Sequence, residues 1–214
     1  MSSKIDYADA LDRAVSLALK ALREAPDDAE AWGVPAAGLE WTCWETAEHL
    51  ADDLFFYAAA FAPRRPDLER HTPIAYTRAR PQAPYNSIFA DPERGVAGLL
   101  YVLEVCGAVQ VSLTRTASPE ARGHHGFGVS DPDGFAAMGI VETLLHTYDI
   151  TAALTTAWTP PDELCVLALD RLFPDVPREH APWPTLLWAT GRGELPGLER
   201  RGTWRWYGEV RDAG

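Results

Sequence analysis

Apolar residues recur at helical intervals through most of this chain. Ala8, Leu11, Val15, Ala18, Leu19 and Leu22 fall on one side of a helix predicted from about Tyr7 to Arg23, which ends before APDD. A second helix is introduced by Trp41. Thr42 followed by Glu45 has the form of a capping box, so the helix starts there and continues through WETAEHLADDLFFYAAAF until Pro63. From about Ala62 to Pro92 repeated prolines exclude a continuous helix, and a connection of that length is uncommon without a purpose. Asp91 as cap and Pro92 at the first helical position open a third helix, apolar to about Leu113, with Val and Tyr content that leaves a strand as the alternative. The loop SPEARGHHGFGVSDPDG leads to a fourth long helix from about Asp133 to Thr156, and Asp162 to Leu172 reads as one more.

Four long helices joined by polar loops predict an all-α fold, an antiparallel four-helix bundle over residues 1–160 with a short C-terminal extension over 161–214. That extension holds Trp183, Trp188, Trp204 and Trp206, aromatics too large to leave in water. Either the bundle covers them or a second subunit does, the latter making a homodimer.

Charge and cysteine content narrow the setting. With 31 acidic against 19 basic residues the formal net charge is −12, which repels a phosphate backbone and argues against nucleic acid as a partner. Arg64, Arg65, Arg70, Arg78 and Arg80 form a local basic stretch, read either as a solvated loop or as a segment that recognises an anionic ligand, with Arg78 as a candidate contact. Cys43, Cys106 and Cys165 are odd in number, widely spaced and without a CxxC, a pattern suited to a reducing cytoplasm and to small buried hydrophobes. The N-terminal segment lacks the succession of a signal peptide, and no uninterrupted apolar run reaches 18 residues, so no membrane span is expected.

The fourth helix carries chemistry within its apolar pattern. Glu142 and His146 stand at i and i+4, one turn apart on a single face, close enough to hold one ion or to form an idle surface pair. A catalytic metal commonly takes three protein ligands, with histidine and carboxylate among them. A third ligand must come from another helix, and His49 is the one histidine in the middle of another well-defined amphipathic helix. Its face gathers Thr42, Glu45, Thr46, Asp52, Asp53 and Phe56, unusually polar for a bundle interior. Asp149 is placed to orient a ligand histidine, and Glu45 is first a capping residue and secondly a supporting one. His124 and His125 sit in a Gly-rich loop, as an exposed pair or as part of a loop that closes over a ligand.

The stretch AWGVPAAGLEWTCWETAEHLADDL, with Trp41, Thr42, Glu45 and His49, resembles the second-helix motif of the mycothiol-dependent maleylpyruvate isomerase branch of the DinB-like superfamily. ETLLHTYDITAAL, with Glu142, His146, Tyr148 and Asp149, is similar to the fourth-helix pattern of that branch. The resemblance covers roughly residues 5–160, and it implies a four-helix bundle in which His49, Glu142 and His146 bind a divalent metal, typically zinc. It further implies an enzyme that uses mycothiol or a similar thiol as cosubstrate, for transfer to a small electrophile or for isomerisation. His124, His125 and Arg78 are the candidates for holding that cosubstrate. The chain departs from the pattern at Cys43, Trp44, Thr46 and Ala47, and only residues 161–214 stand where full-length maleylpyruvate isomerases carry a larger domain.

Overall fold

A computed structural model describes residues 6–210, so the first five residues of the N-terminal segment lie outside it. The chain is mostly helical, with one two-stranded sheet. Helix α1 (Tyr7–Leu22) begins where the Asp6 carboxylate accepts from the N–H groups of Ala8 and Asp9. Helix α2 (Cys43–Phe61) starts with the predicted capping box. Thr42 accepts from the Glu45 N–H, while the Glu45 carboxylate accepts from the Thr42 N–H.

Helix α3 (Gly95–Thr116) follows a short 3-10 turn at Pro92–Arg94, and the strand alternative is overturned. Helix α4 (Pro132–Ala153) is capped by Asp131, with Pro132 occupying a first-turn position that needs no N–H donor. Between them, the expected loop contains a hairpin, β1 (Gly123–His125) and β2 (Gly128–Ser130), antiparallel with His124 opposite Val129. Helix α5 (Asp162–Leu172) lies where predicted. Helix α6 (Pro182–Ala189) was not predicted; Pro182 and Pro184 both lie in its first turn, where proline is tolerated.

Helices α1 and α2 each pack against both α3 and α4, and α5 packs on α4. Helix α4 is buried nearly all round, from Phe135 and Met138 to Leu145 and Ile150, so its polar residues are interior groups that require partners. Where α3 meets α4, Gln110 donates to the Phe135 carbonyl at 2.8 Å, and Gly139 makes room for it. A Cβ at that glycine would lie 2.6 Å from Gln110 Oε1.

The aromatic tail is covered by its own chain. Trp183, Trp188 and Trp206 are buried, and the Tyr207 N–H donates to the Leu172 carbonyl at 2.8 Å. A second subunit is therefore not needed to explain those tryptophans. One segment, Pro92–Thr116, is long and apolar enough to cross a membrane, contrary to the expectation drawn from uninterrupted runs. Between Gly95 and Thr114 Glu104 is the one charged residue, and it interrupts the run without making the helix polar. In the structure this segment packs on α1 and α2.

Candidate metal centre

The polar face of α2 has two separate uses. Toward its N-terminus it anchors the proline-rich connection. Glu45 accepts from Arg80 at 2.7 and 2.6 Å, Glu48 from the Ala90 N–H at 3.0 Å, and Asp52 from the N–H groups of Ser87 and Ile88 at 2.7 and 2.8 Å. Glu45 thus serves the cap and Arg80 and does not support a ligand histidine, which corrects its secondary assignment. Buried carboxylates need such donors, and the loop's backbone supplies them where prolines preclude regular structure.

The second use is at His49. Its ring faces that of His146 on α4 with centroids 5.6 Å apart, and Trp41 packs edge-on against it at 4.7 Å. His49 Nδ1 lies 3.0 Å from Asn86 Oδ1, and His146 Nδ1 lies 3.2 Å from Asp149 Oδ2. With an acceptor facing its Nδ1, the uncharged His49 carries its proton there and keeps the Nε2 lone pair, whereas His146 has a carboxylate at each nitrogen and would offer its Nε2 lone pair only once that proton is displaced. The Nε2 atoms meet carboxylates: Asp53 Oδ2 at 3.4 Å from His49 and Glu142 Oε2 at 3.2 Å from His146. His49, Asp53 and His146 form a group able to hold a metal ion, one ligand atom of each lying within 4.8 Å of the others. Nitrogen and carboxylate donors whose free atoms converge, with orienting partners on the far side of each ring, fit a divalent cation.

Asp149 is one end of a longer chain of contacts. Its side chain is 1% exposed and is gripped by Arg192, Nε to Oδ1 at 2.9 Å and Nη2 to Oδ2 at 2.8 Å. Thus the segment after α6 reaches back to fix the residue that fixes His146. On the other side, the Tyr57 hydroxyl donates to Glu142 Oε1 at 3.2 Å.

The electrostatics follow from this arrangement. Burial works against a charge on His146, but the hydrogen bonds to Asp149 and Glu142 outweigh it and hold the ring's pKa up to about 9. The same contacts keep both carboxylates below their ordinary values against the effect of burial, with Arg192 assisting at Asp149. Burial pushes His49 down to about 4, helped by the charge on His146. Asp53 is raised well above the usual range by burial and then by Glu142. The metal-free site therefore keeps His146 protonated, and a cation held at Nε2 would displace the proton that faces Glu142.

A cavity of about 440 Å³ leads from His49 and Asp53 to the surface. His124 and His125 line it, together with His71 from the proline-rich connection. The hairpin therefore belongs to the wall of the site. Arg78 does not line the cavity; its guanidinium lies over the Tyr85 ring at 3.9 Å and donates to the Pro81 carbonyl. All three cysteines are buried and unpaired, with burial raising their thiols to about 11 or 12, so they are inert packing groups.

No protein family, curated relative or solved structure matches the chain. Of the residues expected from the sequence, His49, Glu142, His146 and Asp149 come together. Asp53, Tyr57, Asn86 and Arg192 join them without having been assigned a role. One signal for Asp53 was available: His49 and Asp53 repeat the i, i+4 spacing of Glu142 and His146.

Proposed function

We propose that this protein is a divalent-metal-dependent enzyme that activates a low-molecular-weight thiol, of the mycothiol type, for transfer to or isomerisation of a small electrophile. The observation that carries this reading is the convergence of His49 and His146, with Asp53 and Glu142 beside them, where His49 and Asp53 line a cavity. We read helices α1 to α4 as a DinB-like antiparallel four-helix bundle. The motif resemblance at Trp41 to His49 and at Glu142 to Asp149 supports that reading, and so does the origin of the two histidines on the second and fourth long helices. Buried, unpaired cysteines are consistent with a cytoplasmic setting.

A bound divalent ion, zinc being the best match to nitrogen and carboxylate donors, lowers the pKa of a thiol or water and so supplies a nucleophile at neutral pH. In this scheme His49 and His146 present Nε2 to the ion, held in orientation by Asn86 and by the Asp149–Arg192 pair. The motif resemblance implies Glu142 as the third ligand, while Asp53 is the carboxylate whose oxygen lies within 4.8 Å of the ligand atoms of both histidines. Asp53, 3.4 Å from His49 Nε2 and lining the cavity, would be placed to take the proton released when the thiol ionises. The aromatic side chains of the cavity wall would displace water from around the sulfur and the electrophile.

A second reading, hydrolysis by activated water, is favoured by one observation: Asp53, which lines the cavity, would serve equally as a base toward water. Cobalt substitution separates the two. The thiol reading expects an intense near-ultraviolet band when a small thiol is added to the cobalt protein, and electrophile consumption only with thiol present. Turnover that proceeds without thiol would overturn it in favour of hydrolysis.

A further inference from the structure

The cavity's outer wall is chemically distinct from the metal centre, and it restricts what can lie there. Five aromatic side chains, Phe56, Tyr57, Tyr76, Tyr85 and Phe135, line it along with His71, His124 and His125, with His49 at the metal centre, yet among the described residues no lysine or arginine lines it. Two carboxylates, Asp52 and Asp53, face the same space. An anionic ligand would lose its hydration there without gaining a cation, and would meet negative charge besides. Arg78, the basic candidate from the sequence, does not line it; its guanidinium lies over the Tyr85 ring and donates to the Pro81 carbonyl.

The histidines supply hydrogen bonds instead of charge. His125 Nδ1 accepts the Phe127 N–H at 3.0 Å, so the neutral ring carries its proton on Nε2. Burial, aided by His71, pushes its pKa to about 4, and the ring is uncharged near neutrality. It is held rigidly, 6.0 Å from the Tyr57 ring and 5.4 Å from that of Trp206. No acceptor for this Nε2–H is found among the described residues. The same tautomer denies His125 a lone pair toward the cavity, so the three histidines do not form a second metal site. His124 is oriented differently, its Nδ1 lying 3.2 Å from the Leu68 carbonyl.

From this geometry we infer that the cavity binds an uncharged, planar, conjugated carbonyl compound, its ring between the aromatic side chains and its carbonyl oxygen accepting from His125 Nε2–H. This rests on the reading of the inner site as the place where an electrophile is attacked, and it specifies the class of electrophile. A flat neutral ring satisfies the aromatic walls through edge and face contacts, and one acceptor oxygen satisfies the His125 Nε2–H. Hydrogen bonding from His125 would also polarise the carbonyl toward a nucleophile delivered from the His49 end.

The test uses full-length, metal-free protein, so that a carboxylate cannot gain affinity by coordinating an ion. Binding of 1-acetonaphthone and of its anionic counterpart 1-naphthoate is followed by tryptophan fluorescence and calorimetry. The ketone is expected to bind at least about tenfold more tightly, His125→Phe to lose about tenfold for the ketone, and His125→Gln, which keeps an N–H donor, to stay within about threefold of wild type. Equal or tighter binding of the carboxylate overturns the inference, as does a folded His125→Phe protein with unchanged ketone affinity. If the variants fail to fold, the ketone-to-carboxylate ratio in the wild type decides alone. Metal uptake measured on the same preparations keeps the two claims apart. Ketone preference in a protein that takes no metal sinks the metal reading and leaves this one standing, and metal uptake without the preference does the reverse.

Discussion

Replacing Arg192 with alanine removes the guanidinium that Asp149 faces, and the structure fixes what should follow. Asp149 is 1% exposed and accepts from Arg192 at 2.9, 3.2 and 2.8 Å, leaving His146 as its remaining side-chain partner at 3.2 Å. Removing one member of a buried ion pair costs about 3–5 kcal/mol, because the other charge stays desolvated. The His146 contact places this case near the lower end, about 3 kcal/mol. For a chain of 214 residues that corresponds to a fall in Tm of roughly 6–12 °C. A freed Asp149 also no longer orients His146, and loss of such an outer partner weakens metal binding about 10- to 100-fold. Thermal melts and competition against a chelating dye would measure both effects. The double variant Arg192→Ala with Asp149→Asn should recover at least about 1 kcal/mol, since the stranded charge is gone. A lone Arg192→Ala protein that melts within about 2 °C of wild type with unchanged metal affinity would refute the linkage between the C-terminal segment and the site.

Other outcomes follow from the same contacts. Thr42→Ala removes the hydroxyl that accepts from Glu45 N–H and should cost about 1 kcal/mol in urea unfolding, with metal affinity little changed. In metal-free protein His146 titrates at about 9, against 6.5 in the unfolded chain. Its contribution is therefore full below pH 6.5 and lost as pH rises through 9, by at most about 3 kcal/mol. His49, depressed to about 4, acts on the other side: its unfolded form gains a proton first, so stability falls as pH drops below 6.5. Melting curves of metal-free protein from pH 5 to 9 should show both slopes, and metal should abolish the alkaline one. Apparent metal affinity should rise up to about tenfold per pH unit over the same alkaline range, since uptake displaces the His146 proton. Glu142→Gln should lose metal, whereas Asp53→Asn should retain more metal than activity; the reverse pattern would exchange the roles given to these two carboxylates.

What was legible in the sequence was what local spacing encodes. The Thr42/Glu45 pair sets the start of α2, and Glu142, His146 and Asp149 are brought to one side of α4 within about two turns of helix. Helix α6 was missed, although Pro182 and Pro184 both occupy its first turn, where proline is tolerated. The polar residues of α2 were visible, but their division into loop anchors and site residues was not. Glu48 and Asp52 take backbone N–H groups from a connection whose path no periodicity describes. Asn86 and Arg192 were out of reach for the same reason. They lie 37 and 43 residues from the side chains they hold, and only tertiary packing brings them there.

The central claim is that His49 and His146 are drawn together by a cation. Metal stoichiometry of tag-free protein, by mass spectrometry after zinc loading and dialysis, tests this most directly for the wild type, His49→Ala and His146→Ala. The account predicts about one divalent ion per chain in the wild type and loss of that ion in both variants, each still folded by circular dichroism. A folded wild-type protein that retains no ion, or variants that retain it fully, would contradict it.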